Sequence, residues 1–184
     1  PTLVGGRFNN CPDGWGCRIV NDNLINALGM RGSVDIFDHG SGETLATSIA
    51  AAYENKEPWF GYYWGPTAVL GKYKMTKVTI GDIDMAAHKE NQEKDNAKSA
   101  VSDFPPAPVL TVATAALAKR EPEVAELMGK VSFEVELLSS LLAWKEKNSA
   151  SAEEAAVYFL TTQSGVWSKW VSDDARAKLS AVIK

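Results

Sequence analysis

The spacing of apolar residues divides the first part of the chain into alternating strands and helices. Short apolar runs bounded by turn residues predict strands, and apolar residues that recur every three or four positions predict helices. The predicted strands cover residues 2–8, 33–37, 58–64 and 76–80. The predicted helices cover 17–28 and 43–55. Gly29 directly follows the first of them and suits a helix C-terminus. This pattern is typical of a mixed α/β fold with a buried sheet.

A proline-rich segment at residues 104–108 separates this α/β pattern from a helical one. Its three prolines disfavour regular structure and stiffen the crossing. The preceding residues 85–102 are polar and charged, and we expect them to form a solvated surface segment. After the boundary, a strand is predicted at 109–113, followed by helices at 122–128, 132–147, 152–162 and 166–182. We therefore expect two parts, residues 1–106 and residues 107–184.

The strand predicted at 109–113 has no obvious partner in its own part of the chain. Because a single strand cannot form a sheet, its partners must come from elsewhere. They could lie in the sheet of the first part, on sequence absent from this chain, or on another chain. In the last case a homodimer would form by swapping.

The bulk composition narrows the class of protein. A net charge of −4 and an isoelectric point near 5.3 argue against nucleic acid as a partner. No apolar run approaches the length of a membrane span, and no signal peptide is visible. Because the chain begins at Pro1 and is apolar by Leu3, we expect it to be a processed or truncated product.

Cys11 and Cys17 are the only cysteines, and they bracket a glycine-containing turn with Trp15 at its tip. Cysteines at this spacing across such a turn can reach the Cα separation that a disulfide requires. A redox pair usually has two intervening residues, and a zinc site needs a second pair of ligands that the sequence does not offer. We therefore predict a structural disulfide, which implies an oxidising compartment.

Motifs for catalysis are absent from the sequence. It contains no nucleophile elbow, no zinc-protease motif and no phosphate-binding loop. His39 and His88 lie far apart without a partner pattern, and His88 is expected to be solvated. The turn at residues 40–42 is better explained as a helix N-cap than as an anion site. We predict a protein that is not an enzyme and needs no cofactor or metal.

Two tryptophans stand where a ligand could reach them. Trp15 lies between glycines in a loop, and Trp64 ends a predicted strand, the usual place for ligand contacts in α/β sheets. Gly16 and Cys17 begin a helix, so their backbone N–H groups lack intrahelical acceptors and suit a carboxylate. Two indole faces can hold a quaternary ammonium group by cation–π attraction. The competing interpretations are packing of Trp15 over its own disulfide and packing of Trp64 within the sheet.

The other tryptophans are expected to pack in the interior. Trp59 lies an odd number of positions from Trp64, so in a regular strand it points to the opposite face. Trp144, Trp167 and Trp170 lie at amphipathic spacing on predicted helices.

Three segments, in order, resemble the glycine betaine/proline betaine-binding family of ABC importers. The first is the Cys11–Cys17 loop with Gly-Trp-Gly inside it, and the second is Tyr-Tyr-Trp-Gly-Pro at residues 62–66. The third is Phe104-Pro105 leading into a strand, followed by a helical tail with a Trp-x-x-Trp sequence. The similarity covers most of the chain.

The resemblance implies a fold and a site. The fold is α/β and periplasmic binding protein type II-like, with two lobes joined by a hinge. Trp15 and Trp64 match the family's aromatic cage, and the N–H groups of Gly16 and Cys17 match its carboxylate contact. No segment matches the family's N-terminal half-lobe, so one lobe is expected to be incomplete in this chain.

We therefore expect a periplasmic or other extracytoplasmic substrate-binding component that captures glycine betaine or a similar osmoprotectant. It would deliver this ligand to the membrane permease of an ABC transporter. Trimethylamine N-oxide, choline and a sulfonium zwitterion are alternative ligands for the same role. An alternative from a different functional class is a protein-interaction module, in which the tryptophans form a surface that binds another protein.

Overall fold

The computed structural model describes residues 2–94, 96 and 98–183, so positions 1, 95, 97 and 184 lie outside the described residues. The chain divides into two compact units. The first unit comprises Pro1–Trp64 and Tyr73–Ala107, and the second comprises Gly65–Lys72 and Pro108–Lys184. Residues 65–72, which lie before the predicted boundary, therefore group with the second unit. Within the described residues, no helix has both the length and the apolar character that crossing a bilayer requires.

A small parallel sheet organises the first unit. Strand β1 (Arg7–Asn10) pairs in parallel with β2 (Asp35–Asp38). On the other side of β1, the Asn9 N–H donates to the Phe60 carbonyl at 2.8 Å, and the Tyr62 N–H donates to the Asn9 carbonyl at 3.0 Å. The central strand β1 is thus flanked by two parallel neighbours, which requires crossover connections between them.

Two helices supply these crossovers. Helix α1 (Gly16–Ala27) connects β1 to β2, and Gly29 follows it with a positive φ of 64°, as a helix C-terminus favours. Helix α2 (Gly42–Asn55) follows β2 and begins with a capping box formed by Ser41 and Thr44. Both helices lie within two residues of their predicted positions. Their apolar faces form the core of this unit, whose buried residues include Val20, Leu24, Ile25, Leu45 and Ile49.

The strand predictions for the first unit are only partly confirmed. Residues Thr2–Val4 form a 3-10 turn rather than the start of β1. The aromatic segment 58–64 pairs with β1 around Asn9 alone. Residues 76–80 form no strand, and Val78 is exposed, because no neighbouring strand among the described residues offers them backbone partners.

The polar segment 85–102 is more ordered than predicted. It contains the short helix α4 (Met85–Glu90). The helix that precedes it in the chain, α3 (Ala68–Lys72), belongs to the second unit. Asn91 is fully buried, and its side chain donates to the Ala100 carbonyl at 2.7 Å and accepts from the Ala100 N–H. The prediction of a wholly solvated surface segment is therefore wrong, because a buried polar side chain is stable when its hydrogen bonds are satisfied.

The second unit is helical. Helix α7 (Val135–Lys147) packs against α3 so closely that a Cβ on Gly71 would lie 2.1 Å from the Ser139 carbonyl oxygen. The hydroxyl of Ser139 accepts a hydrogen bond from the Thr67 N–H at 3.2 Å. The other helices are α5 (Ala115–Arg120), α6 (Pro122–Lys130), α8 (Ala152–Thr162), α9 (Ser164–Trp167) and α10 (Asp173–Val182).

The core of the second unit is aromatic. Leu141, Phe159 and Trp167 are buried, and the Trp167 indole N–H donates to the Leu160 carbonyl at 2.7 Å. Trp170 packs on Phe159 with ring centroids 5.5 Å apart. The prediction that Trp167 and Trp170 pack inside is confirmed.

Two predictions for the second unit are wrong. Residues 109–113 form no strand among the described residues, and Val109, Leu110 and Val112 are largely exposed. The helix predicted over 166–182 is broken, because the Ser172 hydroxyl accepts from the Ala175 N–H and starts a new helix there.

Replacement of Gly71 by alanine tests the close packing of α3 on α7. A backbone carbonyl cannot move as a side-chain tip can, so we expect Gly71→Ala to lower the free energy of unfolding by about 3 kcal/mol. Urea unfolding followed by far-UV circular dichroism measures this loss. Gly129→Ala is the matched control, because Gly129 lies in α6 with open space around it. An equal loss in both variants would show that the α3–α7 contact is not responsible.

Candidate functional site

The carboxyl ends of three parallel chain segments meet at one edge of the sheet in the first unit. The Cys11–Cys17 loop follows β1, the turn before α2 follows β2, and Trp64 follows the paired residues 60–62. In open α/β sheets this edge is where ligands bind. The topology therefore brings the two predicted site segments together.

The cysteine loop is rigidly attached to the sheet. The predicted disulfide between Cys11 and Cys17 is present, with Cα atoms 6.1 Å apart. In the chain-entropy model, closure of so short a loop stabilises the fold by about 2 kcal/mol, because it lowers the entropy of the unfolded chain. Cys11 is fully buried, and Asn10 accepts hydrogen bonds from the Cys11 N–H and the Asn21 side chain, both at 2.8 Å. The loop has little freedom to change position.

Arg18 adds an electrostatic anchor in the first turn of α1. Its guanidinium donates to Asp38 at 2.7 Å and forms an ion pair with Asp22. It also lies 3.6 Å from Asp13, inside the cysteine loop. Arg18 thereby connects the loop, the helix and the end of β2. Sequence reasoning did not identify this residue, because its contact with the end of β2 depends on Asp38, which is 20 positions away in the chain.

Trp15 and Trp64 contact each other. Their ring centroids are 5.2 Å apart and the ring planes are inclined by 62°. Trp15 remains 39% exposed, so it is not a plug buried over its own disulfide. A Cβ on Gly42 would lie 3.1 Å from the Trp15 ring and 3.6 Å from the Trp64 ring. Both indoles therefore rest against the N-terminus of α2, and the absence of a side chain at Gly42 makes this possible.

Two cavities share these indoles. The first, here called the Glu43 cavity, measures about 450 Å³ and is lined by both tryptophans, residues 40–43 and Ala46. The second, the Cys17 cavity, measures about 410 Å³ and is lined by both tryptophans, Gly16, Cys17 and Tyr62. All four predicted ligand residues thus line one cavity.

Tyr62 is an addition to the predicted set. Burial raises the pKa of the Tyr62 hydroxyl, so this group is a neutral hydrogen-bonding partner at physiological pH. Its ring packs on Phe104 with centroids 4.9 Å apart.

The N-termini of α1 and α2 differ in what they offer an anion. Trp15 precedes α1 and has no side-chain acceptor, and no acceptor for the N–H groups of Gly16 and Cys17 lies in the described part of the chain. The first turn of α2 is instead filled by Ser41, which accepts from the Thr44 N–H at 3.2 Å. The prediction of an N-cap in this turn is confirmed. Of the two helix starts, α1 is the one open to a carboxylate.

His39 holds the turn after β2 to the central strand. It is 6% exposed, and its Nε2 lies 3.0 Å from the Oδ1 of Asn9. Because the amide nitrogen of Asn9 donates to the Phe60 carbonyl, Oδ1 is the acceptor and His39 Nε2 carries the proton. Burial lowers the pKa of His39, and the positive charge of Arg7 lowers it further.

His88 is half-buried against Phe104, so the expectation that it is solvated is not met.

The lowered pKa of His39 predicts a pH-dependent stability. The neutral ring is favoured in the folded state, so its stabilisation is complete above the unfolded pKa of about 6.5. We expect the free energy of unfolding to decrease as the pH falls through and below that value. His39→Gln keeps a donor for Asn9 but cannot titrate, so its stability should vary less between about pH 7.5 and pH 5.5. Urea unfolding at several pH values compares the two slopes, and identical slopes would contradict the assignment.

Gly42→Ala tests the contact between α2 and the indoles. The added Cβ forces the exposed ring of Trp15 to shift by a few tenths of an ångström, which changes tryptophan emission and the near-UV circular dichroism. The free energy of unfolding should not fall by more than about 0.5 kcal/mol, because alanine favours the helix and the ring can move. Gly40→Ala is the control, since open space surrounds Gly40. Unchanged spectra in Gly42→Ala would contradict the arrangement.

Two indole rings that line open cavities at the carboxyl edge of a parallel α/β sheet are the arrangement expected of a ligand-binding protein. A family model described as the substrate binding domain of the ABC-type glycine betaine transport system matches residues 2–162. The chain therefore belongs to this family, as the resemblance predicted. The members of this family bind substrates for transport, which agrees with the expectation that the protein is not an enzyme.

A solved structure has a similar fold. It is the glycine betaine, L-proline ABC transporter, glycine/betaine/L-proline-binding protein (ProX) from Borrelia burgdorferi, with a TM-score of 0.55 and 12% sequence identity. The match covers 97% of this chain and 60% of that chain. It confirms the α/β substrate-binding fold, and this chain spans about 60% of the length of that protein. No curated protein matches the sequence.

Proposed function

We propose that the first unit binds glycine betaine or a closely similar zwitterion, with the quaternary ammonium group against Trp15 and Trp64. The observation that carries this proposal is the pair of indoles, 5.2 Å apart and lining two open cavities. Aromatic faces attract a permanently charged ammonium group, which cannot donate hydrogen bonds. Family membership supports the same ligand class.

The carboxylate of the ligand would be bound at the start of α1. Gly16 and Cys17, whose N–H groups lack intrahelical acceptors, line the same cavity as both indoles. The positive end of the helix dipole favours an anion there, and hydrogen bonds to a carboxylate are stronger than those to a neutral acceptor. The rigid disulfide loop holds these donors in place before the ligand arrives, which lowers the entropic cost of binding.

The wider role proposed for the protein is that of the extracytoplasmic, periplasmic binding component of an ABC importer. The family description supports this role. The disulfide supports an oxidising compartment. In this role the protein would pass its ligand to a membrane permease.

Substitution of either indole tests the proposed cage. Loss of a desolvated cation–π contact worth about 2 kcal/mol corresponds to an affinity about 30-fold weaker. We expect Trp15→Ala and Trp64→Ala each to weaken glycine betaine binding by at least this factor in isothermal titration calorimetry. Trp59→Phe is the control, because Trp59 donates to Ser48 and lines neither cavity. Unaltered affinity in both alanine variants would contradict the cage.

A ligand panel separates the remaining alternatives. Choline lacks a carboxylate, so it cannot use the N–H groups of Gly16 and Cys17 and should bind more weakly than glycine betaine. Trimethylamine N-oxide and a sulfonium zwitterion test the size and charge of the cationic group. A protein-interaction module would show no saturable binding of any of these compounds.

A further inference from the structure

The two cavities at the indole pair carry different charges. The Cys17 cavity is lined by Gly16, Cys17 and the neutral phenol of Tyr62, and no acidic side chain among the described residues lines it. In the part of the chain that the structure describes, the Glu43 cavity is lined by one ionisable side chain, that of Glu43. Because Trp15 and Trp64 line both, a ligand on the indoles would experience an electrostatic gradient between them.

The carboxylate of Glu43 is held in its ionised form. Hydrogen bonds from its own backbone N–H and from the Ser41 hydroxyl lower the pKa of this carboxyl. Glu43 lies in the first turn of α2, directly after Gly42, where a Cβ would lie within 3.6 Å of both indoles. Glu43 also lines the Glu43 cavity, so its charge lies beside the indole pair.

The charge of Glu43 is not neutralised by a neighbour. Within the part of the chain that the structure describes, no lysine, arginine or histidine forms an ion pair with it. Most other acidic groups near the sheet edge, such as Asp13, Asp22 and Asp38, are paired with Arg18. Glu43 thus provides an unpaired negative charge at the rim of the indole pair.

We propose that Glu43 is a specificity-determining residue of this site, which favours cationic groups on the indoles and sets the direction in which a zwitterion binds. The ammonium group would lie towards the Glu43 cavity and the carboxylate towards Gly16 and Cys17. Glu43 also occupies the N-terminus of α2, so a ligand carboxylate cannot bind there in the reversed direction. This inference rests on the proposed function and adds a residue that sequence reasoning did not single out.

The two ligand types respond differently to removal of this charge. Choline carries a net positive charge, so it gains the full attraction of Glu43. In glycine betaine, repulsion of the carboxylate offsets part of the attraction. We therefore expect Glu43→Gln, which removes the charge at nearly constant shape, to weaken choline binding about two- to fivefold, in the range measured for exposed charge pairs. Glycine betaine affinity should change less.

The experiment measures both affinities by isothermal titration calorimetry for the 184-residue protein and Glu43→Gln, at about 20 mM and about 300 mM salt. The choline-to-betaine affinity ratio should fall in Glu43→Gln at low salt, and the difference should shrink at high salt. Glu43→Asp should restore the ratio because it keeps the charge. Glu57→Gln, an exposed glutamate that lines neither cavity, should leave the ratio unchanged.

The outcomes distinguish this inference from the function on which it depends. If the unmodified protein binds neither compound, both the proposed function and the role of Glu43 are overturned. If the unmodified protein binds both and Glu43→Gln has the same affinity ratio at both salt concentrations, only the role of Glu43 is overturned. Equal weakening of both ligands without salt dependence would indicate a structural effect of the helix start and would likewise overturn it.

Discussion

The site depends on the backbone pairing of Asn9 with the chain at residues 60–62. Asn9 exchanges hydrogen bonds with Phe60 and Tyr62, and a Cβ on Gly61 would lie 2.3 Å from its carbonyl oxygen. Only glycine permits this approach. The pairing places Trp64 next to the loop that follows β1, and the side chain of Asn9 also holds His39 at the end of β2. One buried asparagine thus aligns three segments that contribute to the site.

The distribution of charge at this edge follows from how each helix begins. An α-helix leaves its first N–H groups without partners, and side chains, water or a ligand must satisfy them. The Ser41 side chain accepts from the Thr44 N–H in the first turn of α2, whereas α1 begins after a tryptophan whose side chain cannot accept a hydrogen bond. The two helix starts are therefore unequal, and the α1 start is available to an anion. The disulfide and the Arg18 ion pairs keep it rigid.

Elements with a local physical cause were predictable. Helices α1, α2 and α8 follow apolar spacing and recognisable ends, and the disulfide follows from two cysteines across a turn. The predicted strands at 76–80 and 109–113 did not form, because a strand needs a partner and the pattern of one segment contains no information about its neighbour. Asn91 and His39 were missed for a related reason, since burial of a polar group depends on partners distant in the chain.

The cysteine loop, the exposed position of Trp15 between glycines and the start of α1 were determined by the sequence itself, because turn residues, a disulfide and helix ends act over a few positions. The cysteine loop is also the first of the three segments that resemble the family. The contact of Trp15 with Trp64 across Gly42, the addition of Tyr62 and the unpaired charge of Glu43 were decided by tertiary structure alone. They arise where parallel strands end together, and that juxtaposition exists only after the sheet has formed.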